Sequence, residues 1–121
     1  ELWRGAVNRA MTGARGQHFL QKLLAAIDAM SSKRLIAHDI VNDHGEVCAL
    51  GSVDPNASLD PEDRDAVAKH FGIAPAMAAE IVYMNDEYPW RNAETPEERW
   101  TRMRAWVAGN ILHDEQKEAA S

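Results

Sequence analysis

The chain has 121 residues, 45% of them apolar and 26% charged, which suits one globular domain with one modest core and leaves no room for two. Thirteen Lys and Arg against nineteen Asp and Glu give a net charge of -6, which excludes a general binder of phosphate backbones but not a local basic patch. No stretch approaches the roughly 18 uncharged apolar residues of a membrane-spanning helix. The single cysteine, Cys48, permits neither an internal disulfide nor a cysteine-rich zinc site. Opening on Glu1 with no Met and no apolar leader, the chain reads as trimmed and not secreted.

In chain order, Trp3, Val7, Ala10 and Met11 predict a first helix, and Gly13 and Gly16 then loosen the chain. Between Gln17 and Met30, the residues Phe19, Leu20, Leu23, Leu24, Ile27 and Met30 recur at spacings of three and four and form one apolar stripe, the mark of a core helix. The β-branched run Leu35 to Val41, the turn-prone Asn42-Asp43-His44-Gly45 and the return Glu46 to Leu50 predict a short β-hairpin packed on the helices. A helical turn over Cys48 to Val53 is the alternative, because Cys-Ala-Leu-Gly lacks the alternation of a half-exposed strand.

Downstream, Asp60-Pro61-Glu62-Asp63 reads as a helix start with Asp60 as N-cap and Pro61 at the first position, and Gly72 as the end of that helix. Ile73-Ala74-Pro75 opens the next helix, with Met77, Ala78, Ile81 and Met84 inward. Tyr88-Pro89-Trp90 then predicts an exposed loop with an aromatic tip. Thr95-Pro96-Glu97-Glu98 combines a Thr cap, Pro at the first position and Glu three residues after the cap, and starts a last helix to about Leu112. Trp100, Met103, Val107 and Ile111 line its buried face. Trp106 lies off that stripe and is available to a second neighbour in the core or to a homodimer partner.

These elements predict a mainly α fold of about five helices with one short β-hairpin near residues 34–50, forming a single domain over residues 1–113 with a frayed polar tail at 114–121. The predicted core is Phe19, Leu20, Leu23, Leu24, Ile27, Cys48, Leu50, Val67, Phe71, Ile81, Trp100, Met103 and Val107.

The charge is unevenly spread: residues 1–38 carry six basic and two acidic groups, whereas residues 39–98 carry three basic and fourteen acidic ones. Asp60, Glu62, Asp63 and Asp65 fall in one turn of sequence, and Asp86, Glu87, Glu94, Glu97 and Glu98 flank Trp90. An aromatic anchor supplies buried area and the carboxylates can pair with Arg or Lys on a partner. Asp60, Glu62, Asp63, Asp65, Asp86, Glu87 and Trp90 are therefore the candidate protein-binding residues.

Two other chemistries compete. His38, Asp43, His44 and Cys48 stand within eleven residues, so a small metal-dependent or cysteine-dependent enzyme would use His38, His44 and Cys48. Yet neither His-x5-His nor His-x3-Cys is a specific zinc spacing, and Cys48 as a small buried core residue is the simpler reading. Arg4, Arg9, Arg15, Lys22, Lys33 and Arg34 offer a basic face for nucleic acid, but no aromatic residues interleave with them. Gly13-Ala14-Arg15-Gly16 lacks the Gly-Lys-Ser/Thr ending of a phosphate-cradling loop. Neither a cofactor nor a metal is expected, and nucleic acid and membrane are not the expected partners.

Taken together, Gly45-Glu46-Val47-Cys48-Ala49-Leu50-Gly51, Asn85-Asp86 and Thr95-Pro96-Glu97-Glu98 resemble, in order and type, motifs of small uncharacterised proteins of bacteriophages and prophages. Those proteins carry a G-x-x-C-A-L-G element, an N-D pair and a T-x-E-E helix start. The resemblance spans most of residues 4–108 and implies a phage or prophage accessory protein in a bacterial cytoplasm, with a host or phage protein as partner. It brings no catalytic residues. Joined to the acidic belt, it leads to the expectation of a non-enzymatic binding module that inhibits a host defence or nucleic-acid-handling complex.

Overall fold

A computed structural model of the chain describes residues 2–87 and 94–113. The described residues form six helices: α1 (Leu2–Thr12), α2 (Ala14–Ala29), α3 (Ala49–Val53), α4 (Arg64–Phe71), α5 (Pro75–Asp86) and α6 (Pro96–Asn110). None is long and apolar enough to cross a membrane. The expected loop tip at Trp90 and the expected tail at 114–121 lie outside the described residues.

Two helices organise the rest. α2 packs against α1, α3 and α6, and α5 packs against α1, α3, α4 and α6. The apolar stripe of α2 becomes part of one continuous core: Leu20, Leu23 and Ile27 are fully buried in the same cluster as Met77 and Ile81 of α5, Met103 and Val107 of α6, and Leu50 of α3. Leu24, Phe71 and Trp100, expected inside, are half-buried at the core margin. The Trp100 indole must satisfy its N–H, and it does so by donating to the Ile27 carbonyl at 3.2 Å from the edge of the core. Trp106 packs half-buried against the same core.

The helix ends follow local chemistry. The Thr95 hydroxyl accepts the Glu98 N–H at 3.1 Å while Glu98 Oε1 accepts the Thr95 N–H at 2.8 Å, a complete capping box. Gly72 closes α4 in the left-handed region at φ 70°, and the Ile73 N–H bonds back to the Ala68 carbonyl at 3.0 Å. α4, however, starts later than the sequence predicts. Asp63, not Asp60, is its N-cap, accepting the Ala66 N–H at 3.2 Å, because Asp60 is engaged in a turn in which its side chain accepts the Glu62 N–H at 2.9 Å.

The β-hairpin resolves into less than two strands. Among the described residues there is one isolated antiparallel bridge, Val41 with Val47, beside the Asn42–Gly45 turn. The arms still exchange backbone bonds, Ile36 N–H to the Val47 carbonyl at 2.9 Å, Asn42 N–H to the Glu46 carbonyl at 2.9 Å and Cys48 N–H to the Ile40 carbonyl at 3.0 Å. The outgoing arm, however, starts on α6: the Leu35 N–H donates to the Pro96 carbonyl at 3.1 Å and Arg99 donates to the Leu35 carbonyl at 2.9 Å. The returning arm turns helical at Ala49 and becomes α3, the alternative that the Cys-Ala-Leu-Gly pattern offered. That helix is the sixth.

Gly16 also departs from its expected role. α2 begins at Ala14, so Gly13 alone breaks the chain and Gly16 is buried inside the helix. A Cβ at Gly16 would collide with the Ala10 carbonyl oxygen, so glycine is there to let α1 and α2 approach closely.

Candidate functional site

On the outer side of α5 lies an open cleft of about 420 Å³, lined by His38, Pro61, Glu62, Arg64, Ala79, Val82, Tyr83, Asp86 and Glu87. Its floor is a helical stripe. Positions 79, 82, 83 and 86 fall on one face of α5, next to the face of Met77, Ala78, Ile81 and Asn85 that is buried in the core. The turn at Asp60–Asp63 brings Pro61 and Glu62 to one wall, with Arg64 at the start of α4. The loop after Leu35 supplies His38, whose backbone takes φ 72°, the one positive φ outside glycine among the described residues.

Three of the seven candidate residues meet in this cleft: Glu62, Asp86 and Glu87. Asp86 Oδ1 accepts from Asn85 Nδ2 at 2.7 Å. The Glu62 and Glu87 carboxylates have neither an ion pair nor a side-chain hydrogen bond among the described residues. Asp60 and Asp63 are held by their turn and cap, and Asp65 is exposed on α4; none of the three lines the cleft. Trp90 lies outside the described residues.

The other acids flanking Trp90 in sequence are spent on internal contacts rather than on a free rim. Glu94 turns inward to Arg102 Nε at 2.6 Å and lies 3.3 Å from Arg99 Nε, with its side chain only 14% exposed. Arg102 in turn donates to the Met84 carbonyl at 2.6 Å, closing the end of α5. Glu97 pairs with Arg34 at 3.3 Å, and Glu98 belongs to the capping box.

Two site residues escaped the sequence reading. Tyr83 and Trp3 are the exposed large hydrophobics of the described residues, at 40% and 41%. Tyr83 lines the cleft, and the Arg64 guanidinium carbon, on the same wall, lies 5.8 Å from the centroid of the Trp3 ring. The signal available in sequence was the second stripe of α5, Ala79-Val82-Tyr83-Asp86, which carries an aromatic on a face the core stripe does not use.

The competing chemistries gain little from the geometry. Burial pushes the Cys48 thiol up to about 12, so it is protonated at neutral pH and unsuited to nucleophilic attack. His44 sits exposed in the turn, its N–H donating to Asn42 Oδ1 at 2.9 Å, and Asp43 is exposed beside it. No group of three or more His, Cys, Asp and Glu side chains among the described residues is arranged to hold a metal ion. Of the basic residues, Arg4 grips the buried Glu80 through bonds of 3.1 to 3.3 Å and ties α1 to α5. Arg34 is paired with Glu97, and Lys33 donates to the Asp28 carbonyl at 2.7 Å with its ammonium 5.1 Å from the Trp100 ring centroid. That leaves Arg9, Arg15 and Lys22 as a reduced basic face on α1 and α2.

Comparison of the chain with protein-family models, with curated proteins and with solved structures gives no match.

Proposed function

We propose that this chain is a phage or prophage accessory protein that works in the bacterial cytoplasm as a non-enzymatic protein-binding module. Its acidic cleft docks on a positively charged surface of a host defence or nucleic-acid-handling complex and inhibits it by occupying that surface. The observation that carries the reading is the convergence of Glu62, Asp86 and Glu87 on one open cleft, with the Glu62 and Glu87 carboxylates in no ion pair with a cation among the described residues. Carboxylates already paired internally add little to association, whereas free ones steer and register a basic partner. The motif resemblance supports the phage origin.

The test is native mass spectrometry of the full chain isolated gently from a bacterial lysate, beside the double variant Glu62→Lys, Glu87→Lys. A host protein retained by the natural chain and lost from the variant is the expected result. Retention by both would overturn the assignment of this surface, and a stoichiometric metal ion would move His38 and His44 to the front.

A further inference from the structure

Building on that reading, we infer that the group seated in the cleft is an arginine side chain of the partner protein, stacked on the Tyr83 ring and paired with Glu62 and Glu87. The large apolar surface left uncovered among the described residues gathers at this place: Tyr83 is in the cleft and Trp3 lies against Arg64, which forms part of its wall. Tyr, Trp and Arg are the residue types that dominate binding hot spots: the two aromatics bury much area with little loss of side-chain freedom, and the planar guanidinium forms several hydrogen bonds at once.

Charge selects the occupant. Three carboxylates line the cleft with one guanidinium and the His38 imidazole, and that guanidinium leans on Trp3. The residual field is negative, so phosphate and carboxylate groups are repelled and a cation is drawn in. The apolar half of the lining, Pro61, Ala79, Val82 and the Tyr83 ring, then distinguishes between cations. A guanidinium is planar and weakly hydrated; it can lie on an aromatic face and still offer its N–H edge to carboxylates in a fork. A lysine ammonium is compact and strongly hydrated, and it gains less from an aromatic wall. The volume of about 420 Å³ lies within the range of roughly 300–1,000 Å³ typical of ligand sites.

The probes are blocked tetra-arginine and tetra-lysine peptides, titrated into the full-length ¹⁵N-labelled chain and followed by amide chemical shifts. The arginine peptide is expected to give saturable shifts centred on Glu62, Tyr83 and Glu87 and to bind about three- to fivefold more tightly than the lysine peptide. Tyr83→Ala should erase that preference and Tyr83→Phe should keep it; both changes are at an exposed position, so the fold is retained. Equal binding of the two peptides, or a preference that survives Tyr83→Ala, would overturn the arginine inference. The acidic-surface reading would stand if Glu62→Lys, Glu87→Lys still abolished both bindings. Shifts at the cleft that grow with protein concentration and no peptide would assign it to a second copy of the chain, and preferential binding of a single-stranded oligonucleotide would assign it to nucleic acid; either overturns both readings.

Discussion

Asn85 Oδ1 accepts the backbone N–H of Ala49 at 3.1 Å while its Nδ2 donates to the Ile36 carbonyl at 2.9 Å, so one buried amide on α5 joins the start of α3 to the loop that leads to the cleft. Both backbone groups would otherwise be poorly satisfied, since Ala49 begins a helix and Ile36 precedes the strained His38. The position also sets the direction of Asp86, its neighbour and a cleft residue.

Replacing Asn85 with Leu therefore leaves a buried donor and acceptor unmatched and is expected to cost about 2–4 kcal/mol of stability in urea unfolding. Asn85→Asp keeps an acceptor for Ala49 but loses the donor to Ile36 and puts two carboxylates side by side, so it should also destabilise. An Asn85→Leu chain as stable as the natural one would contradict this role.

Glycine positions separate packing from backbone freedom. Gly16→Ala drives a methyl into the Ala10 carbonyl of α1 and is expected to lose about 1–3 kcal/mol. Gly109→Ala, in α6 with open space around it, should be neutral or stabilising by up to about 1 kcal/mol, because alanine restricts the unfolded chain and favours helix. The two thermal melts, run side by side, should move in opposite directions or with Gly109→Ala unchanged.

The Cys48 thiol is expected to react with a disulfide reagent at pH 7 only as fast as the chain opens. Its pKa is raised in the fold from 9.0 to about 12, so the contribution to stability is full below pH 9 and is lost as pH rises from 9 towards 12, where the unfolded thiol ionises first. Cys48→Ser should leave partner binding intact with a stability loss of about 1–3 kcal/mol, from a buried hydroxyl in an apolar site. Abolished activity with an unchanged fold would point to a thiol chemistry.

Acid should act in the other direction through Asp54. His70 Nε2, 2.8 Å from Asp54 Oδ2, holds the carboxyl below its ordinary 3.8, helped by the Asn56 N–H. A depressed carboxyl stabilises the fold above its unfolded value and loses that contribution as pH falls through its folded one. Asp28, held down by Arg104, and Glu98, held down by the Thr95 N–H, add to the same acid-side loss. Asp54→Asn should flatten the stability–pH profile below pH 4 and leave its alkaline side unchanged, as followed by circular dichroism.

The sequence by itself determined the parts whose causes are local. The stripe of α2, the Gly72 stop, Pro75 at the head of α5 and the capping box at Thr95 each depend on residues within one or two turns, and each is where the pattern places it. Only the tertiary structure decided the rest, because the competitors for the same backbone groups lie far off in sequence. Leu35 could pair across a hairpin or with Pro96 and Arg99, and α6 wins; Ala49 could extend a strand or start a helix, and the distant Asn85 settles it. Gly16 looks like a hinge until α1 lies across it. The acidic belt divides in the same manner, since Glu94 and Glu97 meet Arg102 and Arg34 in the fold, while Glu62, Asp86 and Glu87 come together at Tyr83 through the packing of α4 on α5. Charge pattern gives the sign of a surface, and helix packing decides which of those charges remain available to a partner.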